Sequence, residues 1–413
     1  MEKKRVVITG YGAVTPIGNN VNAYWDSLIQ GRSGAEKITA FDVSTYSTQI
    51  ANQLKIDLND YFDKKTVRRT SKFILYALIA AEEALKHSEL PIDTIAHRVG
   101  VEIGSGIGGI EILEEMAVTL KEKGPGRVSP FTVPMMIPDM ASGQVAIKLG
   151  AKGPNSCSVS ACASSAHSLG TAYRLIQNEQ ADAMITGGTE AAITPLGLAS
   201  FCAAKSLSSA NDEPEKASRP FDRHRNGFVM GEGAGILILE SLSHAQKRGA
   251  TILAEVVGYG STGDAYHITA PAPEGEGAQR AIQLALNDAQ LSPSDVDYIN
   301  AHGTSTVLND KNESIAIKEV FGNNTSNINI SSTKSMNGHL LGAAGAIEII
   351  ACAKAMETGI VPPTINLDTP DPDCPALNFT PHKAVEKNVD TAISNSFGFG
   401  GHNAVIAIKK FGG

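Results

Sequence analysis

The sequence predicts an α/β fold built from two similar halves. Three observations predict it. Apolar runs of strand length alternate with longer helical stretches along the chain. The same succession of elements occurs twice. At 413 residues, the chain is too long for one simple core and suggests two domains or two fused halves. We expect those halves to cover residues 1–250 and 251–413.

The elements follow in order. MEKKRVVITGYG passes from charges straight into a short strand, without the apolar core of a secretory signal. Residues 74–107 read as an alanine-rich amphipathic helix, a short polar linker, the strand VGVEI and then glycines. Residues 281–304 repeat this plan, with a helix, a Ser/Pro/Asp linker, the strand VDYIN and a glycine loop. Residues 156–188 give a strand, Cys162, a small-residue helix with Leu169, Tyr173 and Ile176 on one face, and AMITGG. Residues 328–361 give a strand, a polar corner and a second small-residue helix. Helices rich in Ala and Gly, such as 340–356, can approach other backbones closely, so both belong near the centre. Between the repeats, EPEKASRPFDRHRNGF (213–228) reads as an excursion over the surface or the site.

Composition narrows the function. A net charge of −8 argues against a general nucleic-acid binder. The five cysteines (157, 162, 202, 352 and 374) are odd in number and lack CxxC spacing, as fits a reduced compartment with no disulfide framework or zinc site. No apolar window is long enough to span a membrane, so we expect a soluble cytoplasmic protein. With one Trp (Trp25) and few other aromatics, the core must rest on Ala, Ile, Leu and Val.

In open α/β sheets, sites form at the carboxyl ends of strands. Cys162, His302 and the Lys334–His339 stretch all follow strand-like runs. A thiol of ordinary acidity is only about 3% thiolate at pH 7. A helix starting at Ala163 would set Cys162 at its positive end and favour the anion. The plain alternative is a small packed core residue. His302, in NAHGTST, and His339, opening a helix in TKSMNGHLLGAAG, each lie beside glycine where the repeat predicts a corner. Two His and a Cys could make a zinc site, but no further ligand cluster accompanies them. Lys334 ends a strand-like run and can point inward.

SNSFGFGGHN (394–403) sets three glycines around Phe399, as a hairpin turn or as a loop offering N–H groups to an oxyanion. GSGIGG (104–109) matches the dinucleotide fingerprint and supplies a rival reading, a nicotinamide enzyme. No acidic residue closes a strand about 20 residues further on, as that fingerprint requires. In KKTVRR, Lys64, Lys65, Arg68 and Arg69 cluster on one helical side, where an acidic partner could dock.

Together, SACASSAH, NAHGTST, TKSMNGHLLGAAG and SNSFGFGG resemble, in order and spacing, the condensing enzymes of the thiolase superfamily, and among them the β-ketoacyl-[acyl-carrier-protein] synthases. The likeness extends to VVITGYGAVTPIG and RPFDRHRNGFVMGEGAG. It implies a thiolase-like five-layered αβαβα fold, a homodimer, acyl carrier protein as partner and no cofactor. It matches Cys162 to the nucleophile, His302 and His339 to the paired histidines and Lys334 to the site lysine. Phe399 matches a gating residue whose N–H joins that of Cys162 in an oxyanion hole. Thr304 and Thr306 match pantetheine-binding threonines, and Ile107, Phe201 and Phe397 are assigned to the substrate pocket. KKTVRR becomes part of the carrier-protein dock. The chain departs from the pattern at Val307, Leu308 and Asn309, where Pro and Gly are usual, and at Asn337, where Thr is usual. A thiolase or an acyl-CoA-primed synthase is the alternative, but those relatives usually carry a second Cys or an Asn where this chain has His339.

Overall fold

The structure is a computed structural model that describes residues 3–412. Ten strands form one continuous sheet, and their order exposes the duplication. From one edge to the middle run Asn329–Ser331, Tyr298–Asn300, Thr391–Gly398, His402–Lys409 and Ala254–Gly263. From the middle to the other edge run Val6–Val14, Gly233–Ser241, Ala183–Glu190, Val99–Gly104 and Asn155–Ser156. Numbering the strands of each half along the chain, both halves read third, second, fourth, fifth, first from edge to middle. Their directions agree as well. In each half the fifth strand is antiparallel to the first and fourth, and the second, third and fourth are mutually parallel. The halves join where Val6, Val7 and Ile8 pair antiparallel with Val256, Glu255 and Ala254.

Side-chain alternation along the strands builds the layers. Leu237 and Leu239 face one core and Ile236 and Ile238 another, while Ala404, Ile406 and Ile408 face the first and Val405 and Ala407 a third. The central core encloses the helices Ser164–Gln177 and Ala344–Thr358, which touch each other and both sets of strands. In the second of these helices every residue from Ala344 to Met356 is buried, as expected of a helix covered on all sides. Lys72–Ser88 covers the outer face of one half, and Glu276–Ala289 with Val307–Phe321 covers the other. The layers therefore run αβαβα, as the resemblance implied.

One repeated tripeptide escaped the sequence reading. Gly-Tyr-Gly occurs at 10–12 and again at 258–260, on the first strand of each half. A Cβ on Gly12 would lie 2.1 Å from the Ala80 carbonyl, and one on Gly260 would lie 2.0 Å from that of Ala281. In both halves the outer helix rests directly on strand backbone there, which only glycine permits.

Candidate active site

Three corners bring the chemistry together. The first follows strand Asn155–Ser156. Ala161 adopts a left-handed conformation (φ 51°) and a single 3-10 turn, Ala161–Ala163, leads into the helix. The helix proper begins at Ser164, so Cys162 sits in the entry turn rather than beside the first helical residue as expected. Ser164 locks the turn, accepting from the Ser160 N–H at 2.9 Å and donating to the Ala161 carbonyl at 2.7 Å. Cys162 keeps part of its surface open.

The second corner follows strand Tyr298–Asn300 and has no regular structure of its own. Its buried N–H groups need partners, and the next helix supplies them. Glu313 accepts from the N–H groups of His302 and Gly303, each at 2.7 Å, and Asp310 accepts from Ser305 at 3.1 Å. Asp310 and Glu313 lie three residues apart on Val307–Phe321, one turn of one face folded back over the loop that precedes it. The amide of Asn395 also donates to Glu313 at 3.1 Å. Burial pushes the Glu313 carboxyl up to about 7, while the N–H groups of Gly303 and His302 and the Asn395 amide pull it down.

The third corner follows strand Asn329–Ser331. A helical turn, Lys334–Asn337, precedes Gly338 (φ 69°) and His339. His339 lies between that turn and a second 3-10 turn, Leu341–Ala343, and does not itself open the helix. The Leu341 N–H donates to His339 Nδ1 at 3.3 Å. The proton of the neutral ring therefore belongs on Nε2, which is buried and has no partner in the protein.

These corners meet. Cys162, His302 and His339 each offer an atom such that all three lie within 4.8 Å of one another. The imidazole centroids are 5.3 Å apart and nearly perpendicular. Lys334, 1% exposed, stands behind them in a buried ion pair with Glu348. Burial and then the Lys334 charge hold both imidazoles well below the ordinary histidine range, so both are neutral at pH 7. Burial pushes the Cys162 thiol up to about 12, against the pull of Lys334 and of the backbone N–H groups of Phe399 and Cys162 itself. Both N–H groups lie close enough to the sulfur to favour its anion. The triad is the one group of three potential ligands found among the described residues. Its fit to a metal is poor, because the Leu341 contact leaves His339 Nε2 carrying a proton where a ligand needs a lone pair.

A cavity of about 300 Å³ opens onto the triad. Phe201, Phe397, Phe399, Thr304 and Thr306 line it, together with the departing residues Val307, Leu308 and Asn309. The Thr304 and Thr306 hydroxyls are 2.8 Å apart. Arg225 steadies the mouth by donating to the Thr306 and Val307 carbonyls at 3.0 and 2.8 Å, and it ion-pairs with Asp371. Segment 213–228 is thus partly buried and ends at Phe228, whose ring lies 5.2 Å from that of His339. Ile107 lies outside the cavity lining, in an apolar cluster with Cys162, Phe201 and Leu341. Asn337 is buried, with its amide donating to the Gly338 carbonyl. The glycines of 398–401 form both things the sequence allowed, a hairpin end between strands and a loop presenting N–H groups. Lys64, Lys65, Arg68 and Arg69 are all exposed on helix Lys64–Arg69, and Arg69 covers the Phe131 ring at 5.2 Å.

GSGIGG is not free to cradle a phosphate. Buried Glu190 accepts from the N–H groups of Gly106 and Ile107 at 2.8 and 3.2 Å, which fills the space a dinucleotide would need. Glu190, Glu313, Glu348 and Phe228 were not singled out from sequence. Only for Glu313 was there a usable signal, the Asp-x-x-Glu spacing just after NAHGTST.

Comparison with known proteins identifies the family. The family described as "Beta-ketoacyl synthase, N-terminal domain" matches residues 3–245, and "Beta-ketoacyl synthase, C-terminal domain" matches 253–368. The chain is 56% identical over 412 residues to a Staphylococcus aureus 3-oxoacyl-[acyl-carrier-protein] synthase 2, covering 99% of each. It is 54% identical to the protein of that name from Synechocystis, covering 100% of this chain and 99% of the relative. A Burkholderia phymatum β-ketoacyl synthase superposes with a TM-score of 0.93 at 34% identity, over 99% of this chain and 100% of that one. A second solved structure, a type II PKS acyl-carrier protein in complex with its ketosynthase bound to the hexaketide, gives 0.93 at 38% identity over the same shares. The chain belongs to the β-ketoacyl synthase family.

Proposed function

We propose that the protein is a 3-oxoacyl-[acyl-carrier-protein] synthase that lengthens fatty acyl chains by two carbons through decarboxylative Claisen condensation. One observation carries this reading. A thiol and two neutral imidazoles from three corners lie within 4.8 Å of one another at a cavity, with two backbone N–H groups at the sulfur.

In the first step, Cys162 Sγ attacks an acyl thioester that enters on the carrier's pantetheine arm. The carbonyl oxygen becomes an oxyanion and accepts from the Cys162 and Phe399 N–H groups. Each such donor is typically worth about 2.7–4 kcal/mol in the transition state. Collapse leaves the acyl group on Sγ, and the carrier thiol departs with the proton. In the second step, malonyl-carrier protein enters, and its thioester carbonyl accepts from His339 Nε2–H and from His302. Loss of CO₂ leaves an enolate held by those contacts, and its carbon attacks the acyl-Cys to give the 3-ketoacyl product. Neutral imidazoles suit this step because they stabilise the enolate without protonating its carbon. Burial and then the Lys334 charge keep both rings uncharged, and Lys334, paired with Glu348, draws the thiol toward its anion. The chemistry requires no redox or metal cofactor.

The rest of the assignment follows. Thr304 and Thr306 bind the pantetheine arm at the mouth. Phe201 and Phe397 enclose the acyl chain, Ile107 backs that wall from the apolar cluster it shares with Phe201 and Cys162, and Phe399 gates the cavity. Lys64, Lys65, Arg68 and Arg69 receive an acidic carrier-protein helix. The two halves divide at 250/251, in the connection between helix Leu242–Lys247 and strand Ala254–Gly263. Two chains form a homodimer across the exposed edge strand Asn155–Ser156, since an uncovered sheet edge invites pairing. No helix among the described residues is long and apolar enough to cross a membrane, and we take the enzyme to work in the cytoplasm. Incubation with malonyl-carrier protein and a ladder of acyl-carrier proteins tests the reading. A 3-ketoacyl product two carbons longer supports it, and primer recovered unchanged across the ladder rejects it. Size-exclusion chromatography with light scattering tests the dimer, which a monomer at micromolar concentration excludes.

A further inference from the structure

The two small-residue helices enter their layer through the same device. Ala161 (φ 51°) opens the 3-10 turn Ala161–Ala163, and Leu341 (φ 48°) opens the 3-10 turn Leu341–Ala343. Gly342 thus stands in the second half where Cys162 stands in the first. The fourth strand of each half ends against the other half's corner. Strand Thr391–Gly398 ends at Cys162, where a Cβ on Gly398 would lie 3.1 Å from the Cys162 nitrogen. Strand Ala183–Glu190 ends at Gly342, whose N–H donates to Glu190 Oε2 at 3.0 Å. At the first corner the strand end leaves room for an oxyanion. At the second, a side chain of the protein puts its own oxygen there.

Glu190 is completely buried, and its partners are all N–H or O–H donors. Oε2 accepts from Gly106 and Gly342 at 2.8 and 3.0 Å, and Oε1 accepts from the Ser105 hydroxyl and the Ile107 N–H at 3.0 and 3.2 Å. A Cβ at Gly106 or Gly342 would come within 2.9 or 2.7 Å of Oε2, which accounts for glycine at both positions. Two working parts hang on these bonds. Ile107 belongs to the apolar cluster beside Cys162, and Leu341, next to Gly342, orients His339 through its N–H. The carboxylate also opposes ionisation of Cys162. Activation of the thiol is therefore not its role.

We propose that Glu190 is a positioning residue of the condensation, an internal anion seated in the second half's counterpart of the oxyanion hole. It holds Ile107, which backs Phe201 and Cys162 in their apolar cluster, and the Leu341–Gly342 corner beside His339 in register with each other. This rests on the condensing activity proposed above. Because each oxygen serves two donors, Glu190→Gln must turn an amide NH₂ toward at least one backbone N–H, at almost unchanged volume.

The test compares wild type, Glu190→Gln and Glu190→Ala in the carrier-protein elongation assay, with thermal unfolding recorded for each. We expect kcat to fall about 10- to 100-fold in Glu190→Gln, as lost charge-assisted hydrogen bonds imply, with a changed acyl-length profile. We expect iodoacetamide labelling of Cys162 to begin at lower pH in that variant, because a neighbouring negative charge is gone. Sodium formate, but not sodium chloride at equal ionic strength, should restore part of the activity of Glu190→Ala by refilling the cradle. If Glu190→Ala does not fold, the Gln variant decides alone. Wild-type kcat and length profile in a folded Glu190→Gln would overturn the proposal. So would a loss that merely tracks unfolding, with no change in length profile or labelling pH. A wild type that labels and folds normally yet never condenses would instead remove the functional reading.

Discussion

The two entry turns, Ala161–Ala163 and Leu341–Ala343, differ less in backbone than in what meets them. Both open on a left-handed residue, and both lead into a buried small-residue helix. The first carries a thiol that faces a cavity and a glycine loop. The second carries Gly342, closed off by Glu190. Duplication therefore supplied the scaffold twice, while the side chains that meet each turn confined the chemistry to one side. The imidazoles that serve the first corner come from the second half, so neither half holds a complete site.

The comparison can be broken at several points, from the largest expected effect to the smallest. Replacing His339 with Ala removes the donor that the second half lends to the first. We expect malonyl decarboxylation to fall about 10²- to 10³-fold, the range for a lost oxyanion-type donor, as read by CO₂ release. In the wild type, decarboxylation should persist as pH falls through 6.5, because both imidazoles protonate only well below that value. A loss centred at 6.5 would mean that an ordinary histidine controls the step.

Lys334→Ala strands the Glu348 carboxylate in the core. Breaking a buried pair typically costs about 3–5 kcal/mol, so denaturant unfolding should reveal a destabilised protein before any kinetic effect is interpreted. A variant of unchanged stability would mean that the pair does not hold Glu348 ionised. Gly342→Ala forces a Cβ to within 2.3 Å of the Gly106 nitrogen. We expect a loss of about 1–3 kcal/mol from overpacking, whereas Cys162→Ala, which shortens a side chain at a partly open position, should unfold close to wild type. Equal stability of the two would erase the distinction between an open and a plugged corner. Smallest of all, charge reversal at Arg68 and Arg69 should raise KM for carrier-bound substrates several-fold, and added salt should shrink the difference. An unchanged KM moves the dock to another surface.

Much of this architecture was legible beforehand, for physical reasons. Alternating strand and helix periods identified the class, and two alanine-rich helices marked the central layer. His302, His339 and Phe399 stood out beside glycine, and Cys162 stood out at the entry to a small-residue helix, because strand ends are where α/β folds form their sites. What stayed hidden were the carboxylates. Glu190 ends an apolar strand, and Glu348 sits inside a buried helix. Nothing local distinguishes either from a solvated acid, because their partners come from segments far away in sequence. The dinucleotide-like GSGIGG misled for the same reason, since the anion it binds is the distant side chain of Glu190. The start of the first central helix was off by one residue, because a 3-10 turn and an α-helix share the same small residues at their junction.

The most direct test separates the two steps in one variant. Cys162→Gln, incubated with malonyl-carrier protein and acyl-carrier protein, should take up no acyl mass by intact-protein mass spectrometry yet still release CO₂, and adding His339→Ala should stop that release. An acyl adduct on another cysteine, or decarboxylation lost with the thiol alone, would contradict a site in which sulfur and imidazoles hold separate tasks.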